Sequence, residues 1–147
     1  MPRLTREATV TWEGNTARGT GTIASQSGAL DGQGISLPSR LAANEGKTSP
    51  EELVAAAHAG CFAMSLSTEL TKAGTPPGRL EVACTITLDE RNGNHEIVAS
   101  DIAIRASVAG VDDAAFQELV RKAHEGCTIS ALVGASAEIS VDAALEG

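Results

Sequence analysis

Thr48-Ser49-Pro50-Glu51-Glu52-Leu53-Val54-Ala55-Ala56-Ala57-His58-Ala59-Gly60-Cys61-Phe62-Ala63-Met64 reads as a long helix with its start signal attached. A hydroxyl residue caps it, proline takes the first helical position, and two acids follow where they favour the helix dipole. The pattern predicts a helix running to about Lys72 and stopping at Gly74, with Pro76-Pro77-Gly78 enforcing the break. From Leu53 to Met64 it is apolar on almost every side, which predicts a buried helix. Its small residues would let another helix approach closely.

Outward from that helix, Thr9 to Glu13 alternates polar and apolar, Gly14-Asn15 breaks the alternation, and Gly19 to Ala24 resumes it as a second strand. Residues 25–49 are rich in Gly, Ser and Asn. They predict an extended loop holding one short strand around Ile35 to Leu37, and loops this long in small domains are often functional. Downstream, Leu80, Val82, Cys84, Ile86 and Leu88 share one face of a strand, Asn92-Gly93 is a hairpin turn, and a strand from Ile97 to Val108 follows. Asp112 and Asp113 cap a helix through about Glu125, with Ala115, Phe116, Leu119, Val120 and Ala123 at helical spacing. Gly126 ends it, Cys127 to Leu132 forms a short helical piece, and Ala137 to Ala143 closes the chain as a strand. The order ββ(β)α, ββαα, β predicts an α+β fold, without the βαβ alternation of a doubly wound sheet.

The whole chain, 147 residues and 15.0 kDa, has room for one domain over residues 1–147. With 42% hydrophobic and 20% charged residues it matches soluble globular chains. No apolar run approaches the roughly 18 residues a membrane helix needs, and no secretory signal follows the basic opening, so a cytoplasmic protein without a membrane role is expected. A net charge of −8 with one Trp, two Phe and no Tyr removes both the cationic attraction and the stacking platforms of nucleic-acid binding. An alanine-rich core poor in aromatics buries little area per residue, which favours sharing it with a second copy. Three cysteines, an odd number, argue against a disulfide framework and direct attention to thiol chemistry or metal.

The tetrapeptide His58-Ala59-Gly60-Cys61 recurs in form as His124-Glu125-Gly126-Cys127. A His and a Cys three apart share a helix face, so two such pairs could complete a tetrahedral zinc site. A core or helix-end histidine with a satisfied ring is the plainer reading of either. A reactive cysteine needs a cation, a helix N-terminus or hydrogen bonds to sulfur. Cys61 lies too far inside its helix for the dipole to act, so a cation must come from elsewhere, and Arg18 and Arg40 are the candidates. Glu51, ten residues before Cys61, can anchor an arginine as well as favour the helix start. Cys127 falls at a helix start, and Cys84 occupies an inward strand position where Val would serve. Taken without further context, inert buried thiols describe all three. Phosphate-loop, dinucleotide, His-Glu-x-x-His, Cys-x-x-Cys and Gly-x-Ser-x-Gly motifs are absent from the sequence.

Val10-Thr-Trp-Glu-Gly with Arg18-Gly-Thr-Gly-Thr, the Lys47 to Ser67 block, and Lys122-Ala-His-Glu-Gly-Cys127-Thr-Ile-Ser together resemble the OsmC/Ohr family, the osmotically inducible protein C and organic hydroperoxide resistance proteins. Trp-Glu-Gly and Ser39-Arg-Leu resemble the OsmC branch more. The resemblance implies a thiol peroxidase of stress defence that reduces organic hydroperoxides, and hydrogen peroxide less well, with no cofactor and no metal. Cys61 matches the peroxidatic cysteine, Cys127 the resolving cysteine, Arg40 the arginine that activates the thiolate and Glu51 the acid that holds it. Arg18 is the second choice, because the Ohr branch takes its arginine from the N-terminal hairpin. The implied cycle runs through a Cys61 sulfenic acid and a Cys61–Cys127 disulfide, reduced by an external dithiol that in the family includes lipoyl groups on protein. The implied fold is an intertwined homodimer, its sheets wrapped around long central helices. One position departs: the family usually has Pro directly after the resolving cysteine, and here it is Thr128. A structural zinc protein and a non-catalytic dimeric binding or stress protein stand as alternatives.

Overall fold

A computed structural model describes residues 3–42 and 46–146, which fall into two units, Met1–Leu53 and Val54–Gly147. In the first unit, strands β1 (Ala8–Glu13), β2 (Thr20–Ser25) and β3 (Asp31–Ile35) form an antiparallel sheet in that order. The β1–β2 connection depends on glycine. Gly14 has φ +96°, and a Cβ at Gly19 would collide with the Asn15 carbonyl oxygen. The Trp12 indole N–H closes the turn on the Gly14 carbonyl at 2.9 Å.

The glycine- and serine-rich stretch is more ordered than its composition predicts. Instead of a loop with a strand near residues 35–37, it holds β3, ending at Ile35, and a short helix α1 (Leu37–Leu41). Its serines act as caps: the Ser36 hydroxyl accepts from the Ser39 N–H at 3.2 Å, and the Ser39 hydroxyl accepts from the Ser36 N–H at 2.9 Å. Residues 43–45 of that expected loop lie outside the described residues.

Helix α2 (Pro50–Lys72) starts where its signals place it, with the Ser49 hydroxyl accepting from the Glu52 N–H at 3.1 Å. It stops at Gly74, φ +81°, where the Thr75 N–H returns to the Leu70 carbonyl at 2.9 Å. In the second unit β4 (Arg79–Arg91) and β5 (Asn94–Ser107) are an antiparallel hairpin turned at Asn92-Gly93, both with positive φ. Helices α3 (Asp113–Gly126) and α4 (Thr128–Gly134) then carry the chain over to β6 (Glu138–Glu146), which pairs parallel with β5. A parallel neighbour requires a crossover of this kind. The sequence predicts both helices of this crossover, but the alternation of β6 carries no mark of strand direction, so its parallel pairing is visible only in the structure.

The core of the second unit is built at two periodicities. Phe62, Leu66 and Leu70 recur every four residues on α2, and Ile102, Ile104 and Ala106 every two on β5, closed over by Phe116, Val120 and Ala123 of α3. The expectation that α2 is buried all round needs correcting. Only the His58–Phe62–Leu66–Leu70 stripe is buried, while Ala56, Ala57, Gly60 and Met64 are exposed, Met64 at 70%. The sequence reading of no membrane-length run is likewise revised: by length and composition α2 would suffice to cross a membrane. Here its buried stripe is the spine of a folded core.

Candidate active site

Cys61 is half-buried on α2, next to the core residue Phe62. One turn further along, the Ser65 hydroxyl donates to the Ala123 carbonyl at 2.7 Å. That bond uses one of the free carbonyls at the end of α3 and fastens the helix end to α2. Gly126 ends α3, and buried Cys127 serves both as its C-cap and as the N-cap of α4, its sulfur accepting from the Ser130 N–H at 3.4 Å. The handover brings Thr128 to Cys61, hydroxyl to sulfur at 3.5 Å.

This junction changes the Cys61 thiol. Burial is the largest influence and pushes it up, but hydrogen bonds from the Thr128 hydroxyl, the Ile129 N–H, the Cys127 thiol and the Thr128 N–H together bring it below the ordinary thiol value. Its own helix start is too distant to act on the sulfur, and the first turn of α4 supplies the donors instead. A depression of about 390 Å³ opens beside it, lined by Cys61, Met64, Ser65, Thr68, Glu69, Lys72 and Gly126.

In the first unit Arg40 and Glu51 are joined in the way the sequence suggested. The Arg40 Nε lies 3.0 Å from Glu51 Oε1 and Nη2 lies 3.0 Å from Oε2, a fork against a carboxylate. Arg18 lies in the β1–β2 turn, where its main-chain N–H donates to the Asn15 side chain at 2.8 Å. With Ser36, Ser39 and Lys47 it lines a separate hollow of about 230 Å³.

Cys84 has the plain role expected of it. Its sulfur touches the Ser100 hydroxyl at 3.2 Å, and burial pushes its thiol up. His58 is fully buried with both ring nitrogens engaged, Nδ1 to the Ser100 hydroxyl at 2.6 Å and Nε2 to the Ser130 hydroxyl at 2.7 Å. His124 Nδ1 reaches the same Ser130 hydroxyl at 3.2 Å. The satisfied-ring reading of His58 therefore describes it, and a zinc ion at His58 would have to displace a serine. Among the described residues no group of three or more His, Cys, Asp and Glu could hold a metal ion.

The family model for OsmC-like proteins matches residues 43–142. The chain belongs to the OsmC-like family. It is 36% identical over 131 residues to peroxiredoxin OsmC of Escherichia coli (strain K12), spanning 89% of this chain and 90% of that one. It is 32% identical over 112 residues to the organic hydroperoxide resistance protein of Xanthomonas axonopodis pv. citri, 75% and 76% of the two chains. Among crystal structures, the organic hydroperoxide resistance protein OhrB of Bacillus subtilis superposes with a TM-score of 0.70 at 27% identity, covering 94% of this chain and 98% of the other. That of Elizabethkingia anophelis gives 0.78 at 25% identity, with 99% of each chain covered. The α+β architecture is thus the OsmC-like fold.

Three hydroxyls that fasten the elements around the site, Ser65, Ser100 and Ser130, carry little mark in the sequence of this OsmC-like chain. Ser100 and Ser130 had a faint signal, a small polar residue inside an apolar run. Ser65 had none, since a serine facing out of a helix looks the same.

Proposed function

We propose that this OsmC-like protein is a cysteine-based peroxidase of organic hydroperoxides, acting in hydroperoxide defence, with hydrogen peroxide a poorer substrate. The observation that carries the reading is the Cys61 thiol, drawn toward thiolate by donors from the turn that bears Cys127. The names of its relatives, a peroxiredoxin and organic hydroperoxide resistance proteins, support it.

In this mechanism the Cys61 thiolate attacks one peroxide oxygen. A sulfur–oxygen bond forms, the oxygen–oxygen bond breaks, and the alkoxide leaves as alcohol after taking a proton. The Cys127 sulfur then attacks the Cys61 sulfenic acid, forming a disulfide and releasing water. An external dithiol, for which lipoyl groups on protein are a candidate, restores both thiols by exchange and is itself oxidised. Arg40 is assigned the activation of the thiolate and Glu51 the holding of Arg40. The forked Arg40–Glu51 pair supports the second assignment, and it favours Arg40 over Arg18.

The reading treats residues 1–147 as one domain, supported by a relative aligned over 89% of the chain. It also takes the protein to be a homodimer, because α2 leaves Ala56, Ala57, Gly60 and Met64 exposed on one apolar face. A cycle that depends on an external dithiol suits the reducing cytoplasm. The test is consumption of tert-butyl hydroperoxide in a dithiol-coupled assay. Turnover by the natural protein and none by Cys61→Ser is expected, and full activity of Cys61→Ser would sink the assignment.

A further inference from the structure

Thr128 occupies the first position of α4, directly after the N-cap residue Cys127, and its hydroxyl faces the Cys61 sulfur at 3.5 Å. We propose that Thr128 is a catalytic residue of this protein, its hydroxyl donating a hydrogen bond to the Cys61 thiolate and so setting how much of Cys61 is ready to attack a peroxide. The catalytic meaning rests on the peroxidase reading, while the effect on the thiol stands without it.

The chemistry of a hydroxyl suits the position. It is both donor and acceptor and rotates freely, so it can accept from the Cys61 thiol and turn to donate once the proton has gone. A hydrogen bond to an ionised partner is stronger than one to a neutral partner, so the contact favours the thiolate over the thiol. Threonine is branched at Cβ and restricted about χ1. Its main chain is held by α4, whose cap Cys127 is itself bonded through the Ser130 N–H. The donor is therefore carried on a fixed element.

The balance at Cys61 makes this one donor count. Burial alone would push the thiol up, and only the donors of the α4 turn reverse that. The Ile129 N–H, the Thr128 N–H and the Cys127 thiol do not depend on the Thr128 side chain. Removing the hydroxyl therefore takes away one contribution and leaves the rest in place. Thr128 is exposed, so an isosteric change there leaves the core packing untouched.

The experiment is the pH dependence of Cys61 alkylation by iodoacetamide in the full-length protein, read by peptide mass spectrometry, for natural protein, Thr128→Ser, Thr128→Val and Thr128→Pro. Ser keeps the hydroxyl, Val removes it at nearly constant shape, and Pro also removes the main-chain N–H while remaining acceptable at a first helical position. The Ser profile should superimpose on the natural one. The Val profile should move up by about one pH unit, roughly tenfold less thiolate near neutrality, and Pro should move further. The rate of reaction with tert-butyl hydroperoxide at pH 7 should fall in the same order. A Val profile that coincides with the natural one, or a Ser profile displaced as far as Val, would overturn the proposal. Graded alkylation profiles in a protein that leaves hydroperoxide intact would uphold the donor role and refute the peroxidase reading, so the two failures are told apart.

Discussion

Two cysteines on adjoining elements have opposite thiol properties because of what their sulfurs meet. Cys61 is approached by donors from the first turn of α4 and lowered, whereas Cys84 is raised by burial that its Ser100 bond does not offset. Brief iodoacetamide treatment at pH 7 should therefore label Cys61 and spare Cys84, as peptide mapping will read. Cys61 labelling should climb with pH through a range below that of an ordinary thiol. Cys127→Ser should still consume one equivalent of hydroperoxide, because the first chemical step is carried by Cys61. Lacking its resolving partner, that variant should accumulate Cys61 sulfinic acid under excess peroxide, visible by intact mass. At this scale residue chemistry offered Arg40 or Arg18 as a cation for Cys61 and Glu51 as its anchor, and only the resemblance implied a catalytic role for them and for Cys127. Residue spacing alone left all three thiols inert, because the donors to Cys61 come from a segment 67 residues away.

The elements around the site were legible where local chemistry dictates them. Helix α2 begins at its Ser-Pro-Glu signal, α3 at Asp112, whose carboxylate accepts from the Ala115 N–H at 2.8 Å, and the hairpin turns at Asn92-Gly93. The parallel pairing of β6 and the conversion of a serine-rich stretch into β3 and α1 depended on partners distant in sequence or on reciprocal caps. Ser130 shows how an element is held. Its hydroxyl bonds His58 and His124, and its N–H bonds the Cys127 sulfur, so it locks α4 to the core. Ser130→Ala should destabilise the fold by about 1–3 kcal/mol in denaturant unfolding, since a buried ring nitrogen loses its partner.

His58 adds a pH dependence of defined sign. Desolvation first, and the nearby His124 second, lower its folded value below the ordinary 6.5. The unfolded chain therefore binds the proton at a higher pH than the folded one. The associated stability is present in full above about pH 6.5 and is lost as pH falls through the folded value. The melting temperature should drop between pH 7 and pH 5, and less steeply in His58→Gln. Equal slopes would show that another group is responsible.

At the scale of the molecule, the exposed apolar face of α2 is the feature that a single chain leaves unexplained. The sequence suggested burial on every side, and within one chain only the His58–Phe62–Leu66–Leu70 stripe is covered. A second copy covering Ala57, Gly60 and Met64 would reconcile the two. Light scattering after size exclusion should therefore give twice the chain mass. Gly60→Arg tests the face directly. A Cβ at Gly60 meets nothing within 4 Å in this chain, and arginine is the better helix former by roughly 1 kcal/mol. The variant should stay folded while its mass falls to that of one chain, and an unchanged mass would place the dimer contact elsewhere.

The peroxidase cycle itself is tested most directly by counting thiols. Reduced, desalted protein is mixed with one equivalent of tert-butyl hydroperoxide per chain, and free thiols are counted under non-reducing conditions with peptide mapping. Loss of two of the three cysteines as a Cys61–Cys127 disulfide, with Cys84 free, is the expected result. Three thiols remaining after exposure to peroxide would contradict it.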